Sequence, residues 1–363
     1  MKILLLSYGS IKFDGRLREL ITVCNLLGDC TYITNDLYSD TEKHIVPPPT
    51  DKRNYKSFVK FCLNFAKQSS DFDIIFADNR RALYPAYKIY RKQKNAKFII
   101  DARELYLMQE AGSFVSKVGC LLEKRINPKA DIVIAANAER AEIMQEHYNL
   151  KKLPLVFENV RALSFPENYN GLQQAGISDE ILQSLDQSKL KLISTSGCSI
   201  SRTNDVLVKA VSRFQDSVNL YLVGSYGIED CAAIENLISE LSLDNVFIIK
   251  ENLPEGELKD FIQRCDVGVV NYHMLDLNNT YCASGKIYEF LAENKPVITT
   301  ENPPLKNMVG KYKIGVADNL YIDAIQILSE KYDFYQKNVE ALNFRAKVLT
   351  NNEKLAEEIK ANL

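Results

Sequence analysis

Lys286 and Glu289 stand three residues apart, a spacing that puts a cation and a carboxylate on one face of a helix. They lie within residues 284–300, S-G-K-I-Y-E-F-L-A-E-N-K-P-V-I-T-T, which read as a loop, a short helix, a stop at Asn294 and Pro296, and a strand over 297–300. Ser284 or Gly285 suits the N-cap, and Ile287, Phe290 and Leu291 fall at the spacing of an inward face. A helix start offers unpaired N–H groups and a positive dipole end, which favour a phosphate. Lys286 adds a mobile cation there. The Glu289 carboxylate can accept hydrogen bonds from two vicinal hydroxyls, such as those of a ribose.

A second cation fits the same chemistry. After an expected strand over 191–195 comes S-G-C-S-I-S-R-T-N-D-V-L-V-K-A, where Gly197 lets the backbone approach a ligand and the Arg202 guanidinium can fork onto a diphosphate. Departure of a nucleoside diphosphate builds negative charge on its oxygens, and Arg202 and Lys286 could offset it without a metal. Gly224 follows the next expected strand. The stretch 271–282, N-Y-H-M-L-D-L-N-N-T-Y-C, supplies His273, Asp276, Asn278 and Asn279, which suit either sugar hydroxyls or a plain polar loop. Asp71 and Asp73 have D-x-D spacing but precede their strand, at the wrong end for a ligand, and the three histidines make no zinc set.

In the first half, Y-G-S-I-K-F-D-G-R-L-R-E follows the first strand. Gly9 and Gly15 suit a close-approach loop, and Asp14 and Arg16 flank a helix start. Asp101 and Glu104 follow an expected strand over 98–100. Either could be the general base for an acceptor hydroxyl, or the two could form a helix-capping arrangement.

Positioning these side chains requires two α/β halves. Apolar runs at 3–7, 74–77, 98–100 and 132–135, with helical stretches between, indicate one parallel sheet; 191–195, 220–223, 246–249, 267–271 and 297–300 indicate another. Ligands of such sheets bind beyond the carboxyl ends of the strands. The 363 residues suffice for two cores, 25% are charged, and no apolar run reaches the ~18 residues that span a bilayer. The apolar start is too short for a signal peptide and reads as a first strand, and eight cysteines without a C-x-x-C pair suit a reducing cytoplasm. Net charge is −2 but uneven: 23 Lys and Arg against 18 Asp and Glu up to Leu150, 22 against 29 beyond. Much of the excess lies in 80–97, R-R-A-L-Y-P-A-Y-K-I-Y-R-K-Q-K-N-A-K, whose Leu83, Tyr87 and Tyr90 form a stripe. Such a helix, shortened by Pro85, would either rest on an anionic membrane or pack its aromatic side on a sheet.

The segments taken together resemble GT-B glycosyltransferases, especially the glycosyltransferase family 4 group. Residues 284–298 are similar to that group's S-K-I-Y-E-Y-L-A-x-G-K-P-V-I, and 197–210 to its G-x-x-x-x-R-(K)-G-x-x-x-L-x-x-A. D-A-R-E-L-Y at 101–106 resembles D-x-H-E-L/x-Y, with Arg103 in place of the usual histidine; Tyr281 takes the place of the first glutamate of E-x7-E. L-E-K-R-I-N-P-K-A-D-I-V-I and L-V-F-E-N-V are also similar. The resemblance implies two Rossmann-like doubly wound domains facing a cleft, with C-terminal helices over 332–363 returning to the first domain. Residues 1–165 would bind the acceptor through Gly9, Asp14, Gly15, Arg16 and Arg103, 166–188 would be a linker, and 189–331 would bind the donor through Gly197, Arg202, Gly224, Ser284, Gly285, Lys286 and Glu289. Arg202, Lys286, Glu104 and Asp101 would serve the chemistry, with no metal or cofactor. The co-substrate would be a UDP- or GDP-sugar, the acceptor a glycan or lipid-linked molecule in cell-surface polysaccharide assembly, and the place the cytoplasm, at the inner face of the membrane through the basic first domain. Nucleic acid is not an expected partner. An inactive subunit of this fold and a sugar-nucleotide epimerase are the alternatives; a dehydrogenase is disfavoured because no G-x-G-x-x-G follows either first strand.

Overall fold

The computed structural model describes residues 1–12, 14–48, 54–69, 71–172 and 176–363. They form two compact units, one of Met1–Asn159 with Thr350–Leu363, the other of Val160–Leu349. Residues 166–188, read as a linker, fall in the second unit, and 173–175 of them lie outside the described residues.

The first unit is built on a parallel sheet of β1 (Lys2–Ser7), β2 (Asp29–Ile33), β3 (His44–Ile45), β4 (Ile74–Asp78), β5 (Lys97–Ala102), β6 (Ile132–Ala135) and β7 (Leu155–Val156). Their spatial order is β3-β2-β1-β4-β5-β6-β7. The helices are α1 (Gly15–Leu27), α2 (Tyr55–Gln68), α3 (Asn79–Tyr90), α4 (Phe114–Ile126) and α5 (Ala138–Tyr148). Alternation along β1 separates two cores. Ile3 and Leu5 pack with Leu17, Leu20 and Val23 of α1, whereas Leu4 and Leu6 pack with Phe58 of α2 and Ala82, Leu83 and Ile89 of α3. Burial on both faces explains why these strands read as unbroken apolar runs.

The second unit holds β8 (Leu190–Ser194), β9 (Val218–Val223), β10 (Val246–Ile249), β11 (Val267–Val270), β12 (Val297–Thr299) and β13 (Gly315–Ala317), ordered β10-β9-β8-β11-β12-β13. Around them lie α6 (Asp179–Leu185), α7 (Asn204–Val211), α8 (Ile228–Glu240), α9 (Glu255–Arg264), α10 (Leu277–Thr280), α11 (Lys286–Ala292), α12 (Pro303–Tyr312) and α13 (Ile322–Leu342). In α14 (Phe344–Asn362), Phe344 belongs to the second unit's core, but Leu355, Ala356 and Ile359 fill the α1 side of the first. The expected return thus begins at Thr350, while α13 stays with the second unit.

Both sheets reverse strand order beside their first strand, between β1 and β4 and between β8 and β11, which is where open α/β sheets take ligands. The short strands β2, β3, β7 and β13 were not anticipated from the sequence; three of them have only two or three residues. Pro85 does not shorten α3. The helix runs through it, and burial of Ala82, Leu83, Pro85, Ala86 and Ile89 offsets the lost backbone hydrogen bond.

Candidate functional site

In the second unit, Lys286 and Glu289 sit in the first turn of α11, as the spacing predicts. The Lys286 ammonium donates to the Thr195 carbonyl and the Ser196 hydroxyl, both at 2.8 Å, and has no carboxylate partner among the described residues. Burial, then repulsion from Arg202, pulls its pKa down to about 8. Glu289 is 4% exposed and paired with Arg161. Burial raises its pKa, against the pull of Arg161 and Lys286. Ser284 is buried just before the helix, and its hydroxyl has no hydrogen-bond partner among the described residues.

Arg202 ends a single 3-10 turn, Ile200–Arg202. Its guanidinium lies over the Tyr272 ring, 4.0 Å from the centroid, and Nη1 donates to Asn279 Oδ1 at 3.2 Å. It too lacks a carboxylate partner among the described residues. Gly197 has φ +56° and its amide donates to the Val223 carbonyl, so the loops after β8 and β9 are in backbone contact. A Cβ on Gly197 would strike the Gly224 carbonyl oxygen, and Gly224 has φ +127°.

A buried polar chain that the sequence did not announce holds this loop. Asn204 Nδ2 donates to the Gly197 carbonyl at 2.7 Å, Asn271 Nδ2 donates to Asn204 Oδ1 at 2.8 Å, and the Ser196 hydroxyl donates to Asn271 Oδ1 at 3.3 Å. Lys286, which donates to Ser196, is the last link. Asp276 caps α10, accepting from the Asn279 amide at 2.8 Å and its side chain at 2.7 Å. Those two residues therefore brace the 271–282 loop. Tyr281 follows as the C-cap of α10.

In the first unit, the carboxyl ends of three neighbouring strands carry Ser7, Asp78 and Asp101 in register. Asp101 is fully buried, with both oxygens accepting from Arg16, at 2.6 and 2.7 Å. The remaining Arg16 nitrogen donates to the Phe157 carbonyl and Asn159. Arg103 pairs with Asp14 at 2.5 Å and Asp78 at 2.7 Å, and reaches Asp101 at 3.3 Å. Burial would lower its proton affinity, but these carboxylates raise it above the ordinary value. Burial pushes Asp78 up to about 6, aided by repulsion from Asp101 and Asp14 and opposed by Arg103. Asp14 also caps α1 through the Leu17 amide. Gly9 approaches this cluster, its amide donating to the Ser7 hydroxyl at 3.0 Å, and Gly15 opens α1. Glu104 lies outside the cluster, exposed.

Sequence reasoning missed Asp78 and Arg161. Asp78 closes the apolar run I-I-F-A-D as Asp101 closes F-I-I-D, which was an available signal; Arg161 gave none. Asp73, of the discarded D-x-D pair, accepts from the Lys2 amide at 2.7 Å, at the amino end of β4. No cluster able to hold a metal occurs among the described residues.

No family model and no curated protein sequence matches the chain. Solved structures share its fold. Sucrose-phosphate synthase from Thermosynechococcus elongatus aligns at TM-score 0.68 and 17% identity, over 99% of this chain and 100% of that one. HepE from Anabaena in complex with UDP aligns at 0.69 and 16%, over 99% and 100%. A glycosyltransferase from Rickettsia africae aligns at 0.66 and 17%, over 100% and 99%. The chain has the GT-B fold, two Rossmann-like α/β domains with parallel sheets.

Proposed function

We propose that this chain is a glycosyltransferase of the family 4 type, which moves a sugar from a nucleoside-diphosphate sugar to a glycan or lipid-linked acceptor. The observation that carries this reading is the pair of cations, Arg202 and Lys286, held by neutral oxygens and an aromatic face, with Glu289 on the same helix turn as Lys286. Neutral holders fix each charge without cancelling it, so both remain available to diphosphate oxygens as the bond to the sugar breaks. Gly197 and Gly224 give the donor close backbone approach, and Ser284 and Gly285 lead into the start of α11 beside it. Glu289 takes the ribose hydroxyls. UDP is the favoured nucleotide, because HepE binds it on this fold.

The first unit supplies the acceptor side. Arg16, Asp14, Arg103 and Asp101 shape its floor by pairing with one another, Gly9 and Gly15 give close backbone approach, and Glu104 is the exposed carboxylate left to meet an acceptor hydroxyl. The reaction would run at the inner face of a membrane, in cell-surface polysaccharide assembly. No helix among the described residues is long and apolar enough to cross a membrane. The surface suited to resting on one is α4 rather than α3: Tyr87 and Tyr90 pack on Phe98, whereas Phe114 and Val115 are 81% and 80% exposed, beside exposed Val118, Leu121, Lys117, Lys124 and Arg125.

A thermal-shift screen with UDP, GDP, dTDP, ADP and CMP and their sugar conjugates tests the reading. A rise in Tm with UDP and UDP-sugars, lost in Arg202→Ala, is the expected result. No shift with any nucleotide would overturn the donor site and favour an inactive subunit; conversion of a UDP-sugar to its epimer without acceptor would favour the epimerase.

A further inference from the structure

Arg161 belongs to no motif, yet it lies on the Lys286–Glu289 turn. Its guanidinium pairs with the Glu289 carboxylate, and its side chain is half exposed while that of Glu289 is buried. It also covers Gly285: a Cβ there would stand 3.0 Å from Arg161 Nε and 3.1 Å from Cζ. The bare backbone of Gly285 gives the arginine room to lie close to the start of α11.

Two cations, Arg161 and Lys286, therefore act on the Glu289 carboxylate, and Arg202 acts in turn on Lys286. The electrostatic influence of both arginines on Lys286 places them in one field. A buried carboxylate needs a partner, and Arg161 is that partner. A ribose that uses Glu289 must share or replace it. The surplus positive charge matches a diphosphate, which offers a guanidinium a stronger two-pronged acceptor than one carboxylate.

We propose that Arg161 is a further anion-binding residue of the nucleotide site, which exchanges Glu289 for the diphosphate when the ribose hydroxyls arrive. The inference rests on the donor-site reading above. In the free protein Arg161 pairs with the Glu289 carboxylate. In the complex it becomes the third cation on the phosphates, so ribose recognition and phosphate recognition are coupled through one side chain.

The test is calorimetric titration of the wild type, Arg161→Met and Arg161→Lys with UDP, and with uridine by competition. Thermal melts of the free variants confirm that each is folded. Loss of a charged hydrogen-bonding partner predicts about tenfold or more weaker UDP binding by Arg161→Met. Uridine, which has no phosphate to recruit the arginine, should bind that variant at least as tightly as the wild type. Arg161→Lys should recover part of the UDP affinity. Equal weakening of UDP and uridine would overturn the inference and make Arg161 a prop for Glu289. Unchanged affinity for both would overturn it as well. Absence of UDP binding by the folded wild type would remove the donor-site reading itself, and this proposal with it.

Discussion

Both units place charged side chains at the carboxyl ends of their central strands, but they use them in opposite ways. In the first, Asp14, Asp78 and Asp101 meet Arg16 and Arg103, and the charges answer one another. In the second, Arg202 and Lys286 lean on carbonyl, hydroxyl, amide and ring groups that cannot neutralise them. A cluster that closes on itself stabilises a loop conformation. A cluster held by neutral groups leaves charge for a ligand, and the fold must tolerate that charge when the ligand is absent. The depressed proton affinity of Lys286 is the sign of that strain.

The contrast can be broken most forcefully at Asp101. Asp101→Asn leaves buried Arg16 without its counter-charge and should lower stability by about 3–5 kcal/mol in urea unfolding, with UDP affinity nearly unchanged. Arg202→Ala should do the reverse: sugar transfer or slow UDP-sugar hydrolysis falls roughly 10²–10³-fold while the unfolding midpoint moves little. If Arg202→Ala proved the more destabilising of the two, the distinction between a closed and an open cluster would fail.

Smaller effects sharpen it through pH. Since the folded chain holds the Lys286 proton less tightly than the unfolded chain, stability should rise between about pH 8 and the ordinary lysine value of 10.5. Phosphate binding needs the ammonium, so UDP affinity should fall across the same range, by at most about tenfold per pH unit. Lys286→Met should flatten both slopes. Asp78 behaves in the other sense. Its carboxyl holds a proton up to about pH 6 when folded, against 3.8 in its ordinary state, so its contribution to stability grows as pH falls from 6 towards 4. The stability gap between wild type and Asp78→Asn should therefore widen in favour of the wild type over that interval, by less than about 1.4 kcal/mol per pH unit.

What could be read from the sequence was local. Buried parallel strands need apolar side chains on both faces, so β1, β4, β5 and β6 stood out, as did β8 to β12. The strands β3, β7 and β13 are too short to form a pattern, and β2 begins with a charge. Lys286 and Glu289 were legible because three residues of helix bring them together. Arg161 meets Glu289, and Asn204 meets Asn271, only after the chain has folded back, so no spacing encodes either pair. Arg16 and Asp101 were both singled out, but nothing near either residue says that they bind each other rather than a ligand.

The Leu355, Ala356 and Ile359 side chains have a consequence for how the protein comes into being. Its first unit is completed by the α14 segment, encoded after the whole of the second. During synthesis, the α1 side of that unit must wait with an apolar gap until the chain has been made as far as Ile359. The second unit, whose residues are contiguous, can close earlier. Order of translation and order of completion are thus inverted between the two halves.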